Sequence, residues 1–334
     1  MSHYFPTSGY LLGVDVGNTK THALITDISG SVVGLGKAGC ANHEVIGIEG
    51  FAAELTASVE DALHSAGLVT ADISAMGFGI AGYDWPSQVP IMETAIQSLG
   101  INCPYLYVND AVIGLIAGSS EGWGVAVDAG TGNNVRGRDQ HGKEGRITGN
   151  SIRFGEIGGA GELVWRAMVA VTYAWTKRGP KTRLTQMMME FAEVESEDAL
   201  IEALATDQVD LSPSLAIEVF SLAAAGDPVA QEVVQESAHE LAENTVAVIR
   251  QLAFQKRNFE IVLIGSVFKA GEIYIQPFQE RIHQFAPHAH LINLKVPPVV
   301  GAVLLAAEAA GLGPASLRQH LLEATKLAFP EMSA

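Results

Sequence analysis

Three glycine-rich turns along the chain consist of residue types that could hold phosphate. They lie at residues 15–21, 128–134 and 264–267, and each follows an apolar segment typical of a strand. Glycine allows backbone at a strand end to approach a ligand closely, and unpaired N–H groups there can bind phosphate oxygens. Two such turns far apart in sequence therefore predict two half-sites that close on one nucleotide.

The elements that must position these turns repeat along the chain. Alternating apolar residues and turn signals predict the order βββαβαβα up to residue 116, and the same order begins again at residue 123. A helical insertion from about 157 to 252 interrupts the second copy. The sequence thus predicts an α/β protein with two domains, residues 1–118 and 119–334, and the last helices are expected to pack back on the first domain.

Composition limits the partners of the protein. A chain of 334 residues with a formal charge of −17 has no obvious Lys/Arg surface for nucleic acid. We find neither an apolar run of about 18 residues nor a signal-peptide pattern, so we expect a cytoplasmic protein without a membrane partner. Cys40 and Cys103 lack metal-type spacing and are expected to be reduced and packed.

The duplicated unit and its three turns resemble the sugar kinase, heat-shock seventy and actin superfamily. Within it, the chain is most similar to the N-acetylglucosamine kinases and the BadF/BadG/BcrA/BcrD ATPase group, from Gly13 to about Ala310. The resemblance implies two ribonuclease H-like, actin-like ATPase domains. It also implies ATP and Mg²⁺ as cofactors, a small sugar as substrate and a homodimer.

Phosphoryl transfer to a hydroxyl needs a phosphate cradle, a divalent cation, an oriented hydroxyl and a carboxylate base. We expect Asp15 to hold Mg²⁺ through water and Asp110, which follows the strand at 105–108, to be the base. An N-cap is the alternative role for Asp110, and a plain turn is the alternative for each glycine motif. The predicted nucleotide contacts are Asp15, Gly17, Asn18, Thr19, Lys20, Gly130, Thr131, Gly132, Asn133, Gly265 and Ser266.

Four further residues are expected on the sugar side. Asn42 and His43 follow the third strand where the resembled kinases keep sugar contacts, although a loop Asn-His pair is also ordinary turn chemistry. Gly82 follows the next strand. Within 149–159 the chain lacks the Trp-Gly pair of those kinases, and Glu156 stands where their Gly-Asp-Glu-Gly-Ser run has aspartate. This departure leaves the identity of the sugar open.

The predicted function is an ATP-dependent kinase acting on a hydroxyl of an amino sugar, N-acetylglucosamine or glucosamine. The alternative is an ATPase or a nucleotide- or sugar-sensing member of the BadF group without kinase activity. Activators of radical dehydratases in that group bind an iron–sulfur cluster, but Cys40 and Cys103 lack their flanking contexts. Type III pantothenate kinases are shorter and lack the insertion. A transcriptional sensor should carry an N-terminal helix-turn-helix, and only nine residues precede the first strand.

Overall fold

The computed structural model describes residues 9–328 and contains two five-stranded mixed sheets. The ends of the two predicted domains, residues 1–8 and 329–334, lie outside the described residues. In the first sheet the strands lie in the order β3-β2-β1-β4-β5. Their bounds are β1 Tyr10–Val16, β2 Thr21–Asp27, β3 Val32–Ala38, β4 Ile73–Ile80 and β5 Tyr105–Asn109.

Antiparallel and parallel pairing meet at β1 in this sheet. β1 pairs antiparallel with β2, whereas β4 lies parallel to β1 on one side and to β5 on the other. Parallel strands need long crossovers, and helices supply them. These helices are α1 (His43–Ala66), α2 (Val89–Ser98) and, after β5, α3 (Asp110–Gly118). The carboxyl ends of β1, β4 and β5 therefore open at one edge of the sheet.

The second sheet repeats the first. Its order is β10-β9-β6-β7-β8, which is the first order read from the opposite edge. This confirms the duplicated βββαβαβα unit. The bounds are β6 Gly124–Ala129, β7 Asn133–Arg138, β8 Glu144–Arg146, β9 Phe259–Ile264 and β10 Ala289–Asn293, with α9 (Glu272–Phe285) between the last two.

Five helices form the insertion between β8 and β9. They are α4 (Ala160–Trp175), α5 (Leu184–Phe191), α6 (Glu197–Ala205), α7 (Ala216–Ala224) and α8 (Pro228–Gln251). Asp227 caps α8 by accepting hydrogen bonds from the N–H groups of Val229 and Ala230. The apolar stripe of α8, which includes Val234 and Leu241, is buried in the core of the second half. None of the described helices is long and apolar enough to cross a bilayer.

Two helix starts differ from those the sequence pattern predicts. α1 begins at His43 rather than at 46, because the side chain of Asn42 accepts the Glu44 N–H and Gly47 then bends the helix at φ 77°. α4 begins at Ala160 rather than at 157. The carboxylate of Glu162 accepts the Gly159 N–H at 2.7 Å, which fixes the first turn of that helix.

The helices after β10 contact the first sheet. α10 (Val299–Ala309) packs on β1 and β4, and α11 (Pro314–Ala328) follows it. Added methyl groups at Gly13 and Gly77 would overlap backbone atoms of α10, so glycine is what allows this close approach. The division of the chain at residue 118 stays a prediction.

Candidate active site

A polar cavity of about 380 Å³ lies between the two halves, where the central strands of both sheets end. The first half contributes the β1–β2 turn, the loop after β4 and the start of α3. The second half contributes the β6–β7 turn and the loop after β8. The predicted site residues that line this cavity are Asn18, Thr19, Asn42, Gly82, Asp110, Gly130, Thr131, Gly132 and Asn133.

The first glycine turn is a tight hairpin between β1 and β2. The Gly17 N–H donates to the Lys20 carbonyl at 3.1 Å, and a methyl group on Gly17 would press against the same oxygen. Asn18, Thr19 and Lys20 are exposed. The hairpin and the nucleotide contact are therefore compatible, because the hydrogen-bonded turn presents Asn18 and Thr19 to the cavity.

The second glycine turn is fixed by the start of α4. The Gly130 carbonyl accepts the Ala160 N–H at 2.9 Å, and the Thr131 carbonyl accepts the Gly161 N–H at 2.8 Å. In a trans peptide the N–H of the next residue points away from the preceding carbonyl. The N–H groups of Thr131 and Gly132 therefore point away from α4, and both residues line the cavity.

Three aspartates lie near one another at the floor of the cleft. Asp15 is near the end of β1, Asp128 is near the end of β6, and Asp110 begins α3. Burial raises the pKa of Asp15 and of Asp110 to about 7, and the charge of Asp128 adds to both shifts. Lys20 opposes the shift at Asp15. Burial also raises the pKa of Asp128 to about 6.

This concentration of negative charge suits a divalent cation. Raised pKa values mean that the ionised carboxylates lack full compensation from the protein, and a bound cation would supply it. The described residues contain no group of three Asp, Glu, His or Cys side chains arranged as metal ligands. Mg²⁺ commonly uses only one or two carboxylates and keeps its remaining waters, so Asp15 and Asp128 fit its preference.

The third turn closes on the second. Gly265 has φ 101°, and a methyl group there would overlap the Ala129 carbonyl oxygen, so the position favours glycine. This approach places Ser266 in a neighbouring cavity of about 670 Å³, which Thr131 also lines. Apolar residues of the insertion, including Ile217 and Phe220, complete that cavity.

The two residues predicted after β3 have different surroundings. Asn42 caps α1, donates from Nδ2 to Asn18 Oδ1 at 2.6 Å and lines the cavity. Gly82, with φ 79°, lies against the Asn42 side chain, which an added methyl group would overlap. His43 does not line the cavity: its ring lies near Phe51, and its Nε2 is 3.3 Å from Gln88 Nε2.

Glu156 directs its carboxylate into its own loop. The side chain accepts the Thr148 N–H at 2.7 Å, the Thr148 hydroxyl at 2.8 Å and the Asn150 N–H at 3.0 Å. Gly149 and Ser151, on either side of Asn150, line the cavity. The carboxylate therefore holds the loop that forms this wall.

Four residues that the sequence analysis did not select connect the two halves beside the cavity. Asp84 follows β4, Asn109 ends β5, and Asn134 and Arg136 lie on one face of β7. Arg136 is 2% exposed and forms an ion pair with Asp84. The signal in the sequence was an arginine two residues after an asparagine in a buried strand, but only the packed halves supply its partner.

The cysteines form no bond with each other. Cys40 and Cys103 are both free and partly buried, and burial raises the pKa of the Cys103 thiol to about 11. A thiol with a raised pKa is a poor metal ligand at neutral pH.

A duplicated actin-like fold with glycine turns facing one cleft defines a class of nucleotide-binding phosphotransfer proteins. The chain belongs to the BadF/BadG/BcrA/BcrD ATPase family, whose model matches residues 12–306. It is 28% identical to the N-acetylmuramic acid/N-acetylglucosamine kinase of Clostridium acetobutylicum, over 89% of this chain and 98% of the relative. It is 24% identical to the N-acetyl-D-glucosamine kinase of Dictyostelium discoideum, over 88% and 97%.

Solved structures show the same fold. A Chromobacterium violaceum protein, provisionally assigned as an N-acetylglucosamine kinase, superposes with a TM-score of 0.62 at 21% identity, over 90% of this chain and 99% of that one. A ROK family glucokinase of Streptomyces griseus, solved with glucose and AMPPNP, gives 0.52 at 20% identity, over 90% and 99%.

Proposed function

We propose that this protein is an ATP-dependent kinase that transfers the γ-phosphoryl group to a hydroxyl of an amino sugar, N-acetylglucosamine or glucosamine. The observation that carries the proposal is the convergence of two glycine turns and three aspartates on one cleft between the halves. The names of the relatives support the substrate class, because the related proteins include kinases for N-acetylglucosamine and N-acetylmuramic acid.

The phosphates of ATP would be held by the two turns that line the cavity. Gly17, Asn18 and Thr19 would contact them from the first half, with Lys20 adding positive charge. From the second half the contacts would come from residues 130–133. Mg²⁺ would be held by Asp15 through water, with Asp128 opposite, and it would supply positive charge to the phosphate oxygens.

The nucleoside would occupy the neighbouring cavity of about 670 Å³ that joins the second and third turns. Gly265 and Ser266 would lie near the ribose, and the apolar side chains of Ile217 and Phe220 would face the base. A mostly apolar cavity with a few hydroxyl groups is typical of nucleoside sites. This assignment gives the helical insertion a role in ATP binding.

Asp110 would receive the proton of the attacking hydroxyl. It lines the cavity, and its pKa of about 7 suits a base that works near neutral pH. Asn109 Oδ1 accepts the Ala111 N–H at 3.1 Å and already provides the N-cap of α3. Because a neighbour serves as the cap, the Asp110 carboxylate has no structural duty that would explain its burial.

On the sugar side, Asn42 and Gly82 would line the acceptor site. Glu156 would serve the same site by holding the loop at 148–151, and His43 would support Gln88 behind it. Homodimer formation and a cytoplasmic location complete the proposal. Partly exposed aromatic side chains on α4, including Trp165 and Tyr173, offer surface for a second copy.

The test is ADP release from Mg-ATP in the presence of single sugars. The panel is N-acetylglucosamine, glucosamine, N-acetylmuramic acid, N-acetylmannosamine, glucose and pantothenate. We expect stimulation by an amino sugar and its loss in Asp110→Ala. Asp207→Asn is a matched control, because Asp207 is exposed with φ 54°, which asparagine tolerates. ATP binding without stimulation by any sugar would contradict the kinase and favour an ATPase or sensor.

A further inference from the structure

Four polar side chains form a closed circuit between the halves, which we call the bridging ring. Arg136 Nε donates to Asn134 Oδ1 at 3.3 Å, and Asn134 Nδ2 donates to Asn109 Oδ1 at 3.2 Å. Asn109 Nδ2 then donates to Asp84 Oδ1 at 3.2 Å, and Arg136 donates to the same oxygen. Asp84 and Asn109 belong to the first half, and Asn134 and Arg136 belong to the second.

The bridging ring joins two parts of the proposed catalytic machinery. Asn109 caps α3, so the ring is connected directly to the backbone that carries Asp110. Asn134 follows the β6–β7 turn directly along β7. Asp84, Asn109 and Asn134 line the cavity, whereas Arg136 lies behind them, almost fully buried. The guanidinium therefore acts on the cavity only through its partners.

We propose that Arg136 is a positioning residue: through the bridging ring it fixes the start of α3, and with it Asp110, relative to the phosphate-binding turn of the second half. The inference rests on the proposed function, because the distance that the ring fixes is the one between acceptor base and donor phosphate. A buried ion pair with every partner satisfied holds a defined geometry, since losing one member leaves a buried charge uncompensated.

Arginine suits this task better than lysine. Its planar fork presents Nε to Asn134 and Nη2 to Asp84 at the same time, and lysine has a single nitrogen on a flexible chain. Arg136→Lys therefore keeps the charge and most of the side-chain volume but cannot close the ring. Reduced turnover in this variant would reflect geometry rather than loss of charge.

The chain provides a matched control on the same strand. Arg138, two residues further along β7, also reaches the first half's side of the molecule, where Nη2 donates to Glu308 of α10 at 2.6 Å. This pair lies outside the proposed active-site cavity. Arg138→Lys thus makes the same chemical change in a second ion pair between β7 and α10.

The experiment measures kcat and KM for ATP and for the stimulating sugar, together with melting temperature. The variants are Arg136→Lys, Asp84→Asn, the double variant of the two and Arg138→Lys. We expect Arg136→Lys and Asp84→Asn to lower kcat about 10- to 100-fold, because displacement of reacting groups by about 1 Å costs that much. KM for ATP should change less than about 2-fold. The double variant should be no slower than either single one, since the ring is already open.

Two results would overturn the proposal. One is a kcat for Arg136→Lys within about 2-fold of that for Arg138→Lys at a temperature where both are folded. The other is a loss in Arg136→Lys that appears only in melting temperature, with kcat unchanged. Failure of the underlying function looks different, because wild-type protein would then show no sugar-stimulated turnover, and both proposals would fall.

Discussion

The first and second sheets have the same strand order, and equivalent strands end on the same cleft. β1 and β6 are the central strands, and each carries an aspartate near its end, Asp15 and Asp128. A glycine turn follows each of them. Duplication of one unit thus produced a pair of similar half-sites, which is what the two sides of a triphosphate require.

The edge-side parallel strands of the two sheets end differently. β5 is followed directly by Asp110 at the start of α3, whereas β10 is followed by residues 294–298, which include Lys295 and no carboxylate. The second half instead carries the helical insertion that lines the neighbouring cavity. Cation and phosphate contacts would thus come from what the halves share, and the base and the nucleoside cavity from what they do not.

The largest effect on the shared part is expected from Asp15→Asn and Asp128→Asn. Both side chains are equivalent by duplication, so each substitution should lower kcat/KM for ATP about 100- to 1,000-fold, as loss of a charged group that orders a transferring phosphate does. The measurement is steady-state kinetics at several Mg²⁺ concentrations, with Asp207→Asn as control. A large effect at only one position would show that the halves are not equivalent.

The same aspartates predict how stability depends on pH. Their folded pKa values, about 7, 7 and 6, lie above the ordinary value of 3.8, so the folded protein binds more protons than the unfolded chain. The free energy of unfolding of the metal-free protein should therefore fall as pH rises from about 4 to about 7.

Asp128→Asn removes a charge that raises the pKa of Asp15 and Asp110. We expect this variant to melt at a higher temperature than wild type at pH 8 and at a similar temperature at pH 4.5. Thermal denaturation in EDTA measures the difference. A lower melting temperature for the variant at pH 8 would contradict the charge cluster.

Local signals in the sequence were enough to predict most of this symmetry. Glycine turns after apolar segments and strand alternation depend on neighbouring residues, so both copies of the unit and the cavity-lining turns could be found before folding. The bridging ring could not. Asp84 and Arg136 gain their meaning only when the halves pack together, and 52 residues separate them. The inward-facing carboxylate of Glu156 was hidden for the same reason, because its partners are backbone groups of one loop.

A smaller effect should separate the two substrates. Gly82 and Gly265 follow the equivalent strands β4 and β9, both have positive φ, and a methyl group at either would overlap a neighbour. Gly82→Ala should raise KM for the sugar about 10-fold and leave KM for ATP unchanged, and Gly265→Ala should do the reverse, as backbone strain of about 1 to 3 kcal/mol allows. Two-substrate kinetics measure both. Equal effects on both substrates would contradict the division.

The smallest effect is expected at the loop after β8, which has no counterpart at the cavity in the first half. Thr148→Val removes one hydrogen bond to Glu156, and Glu156→Gln weakens all three. If Glu156 only holds the loop, both should raise sugar KM by about 3- to 10-fold, as loss of about 1 kcal/mol does. A much larger loss in Glu156→Gln alone would indicate direct contact with the sugar.

The most direct test of the division between the halves is phosphate transfer by Asp110→Asn. The substitution preserves shape and removes the base of the first half without touching the turns of the second. We expect ATP affinity, measured by calorimetry, to stay within about 2-fold of wild type, while formation of phosphorylated amino sugar, measured by mass spectrometry, falls about 100- to 10,000-fold. Undiminished product formation would contradict the assignment of Asp110 and with it the division of chemistry between the two halves.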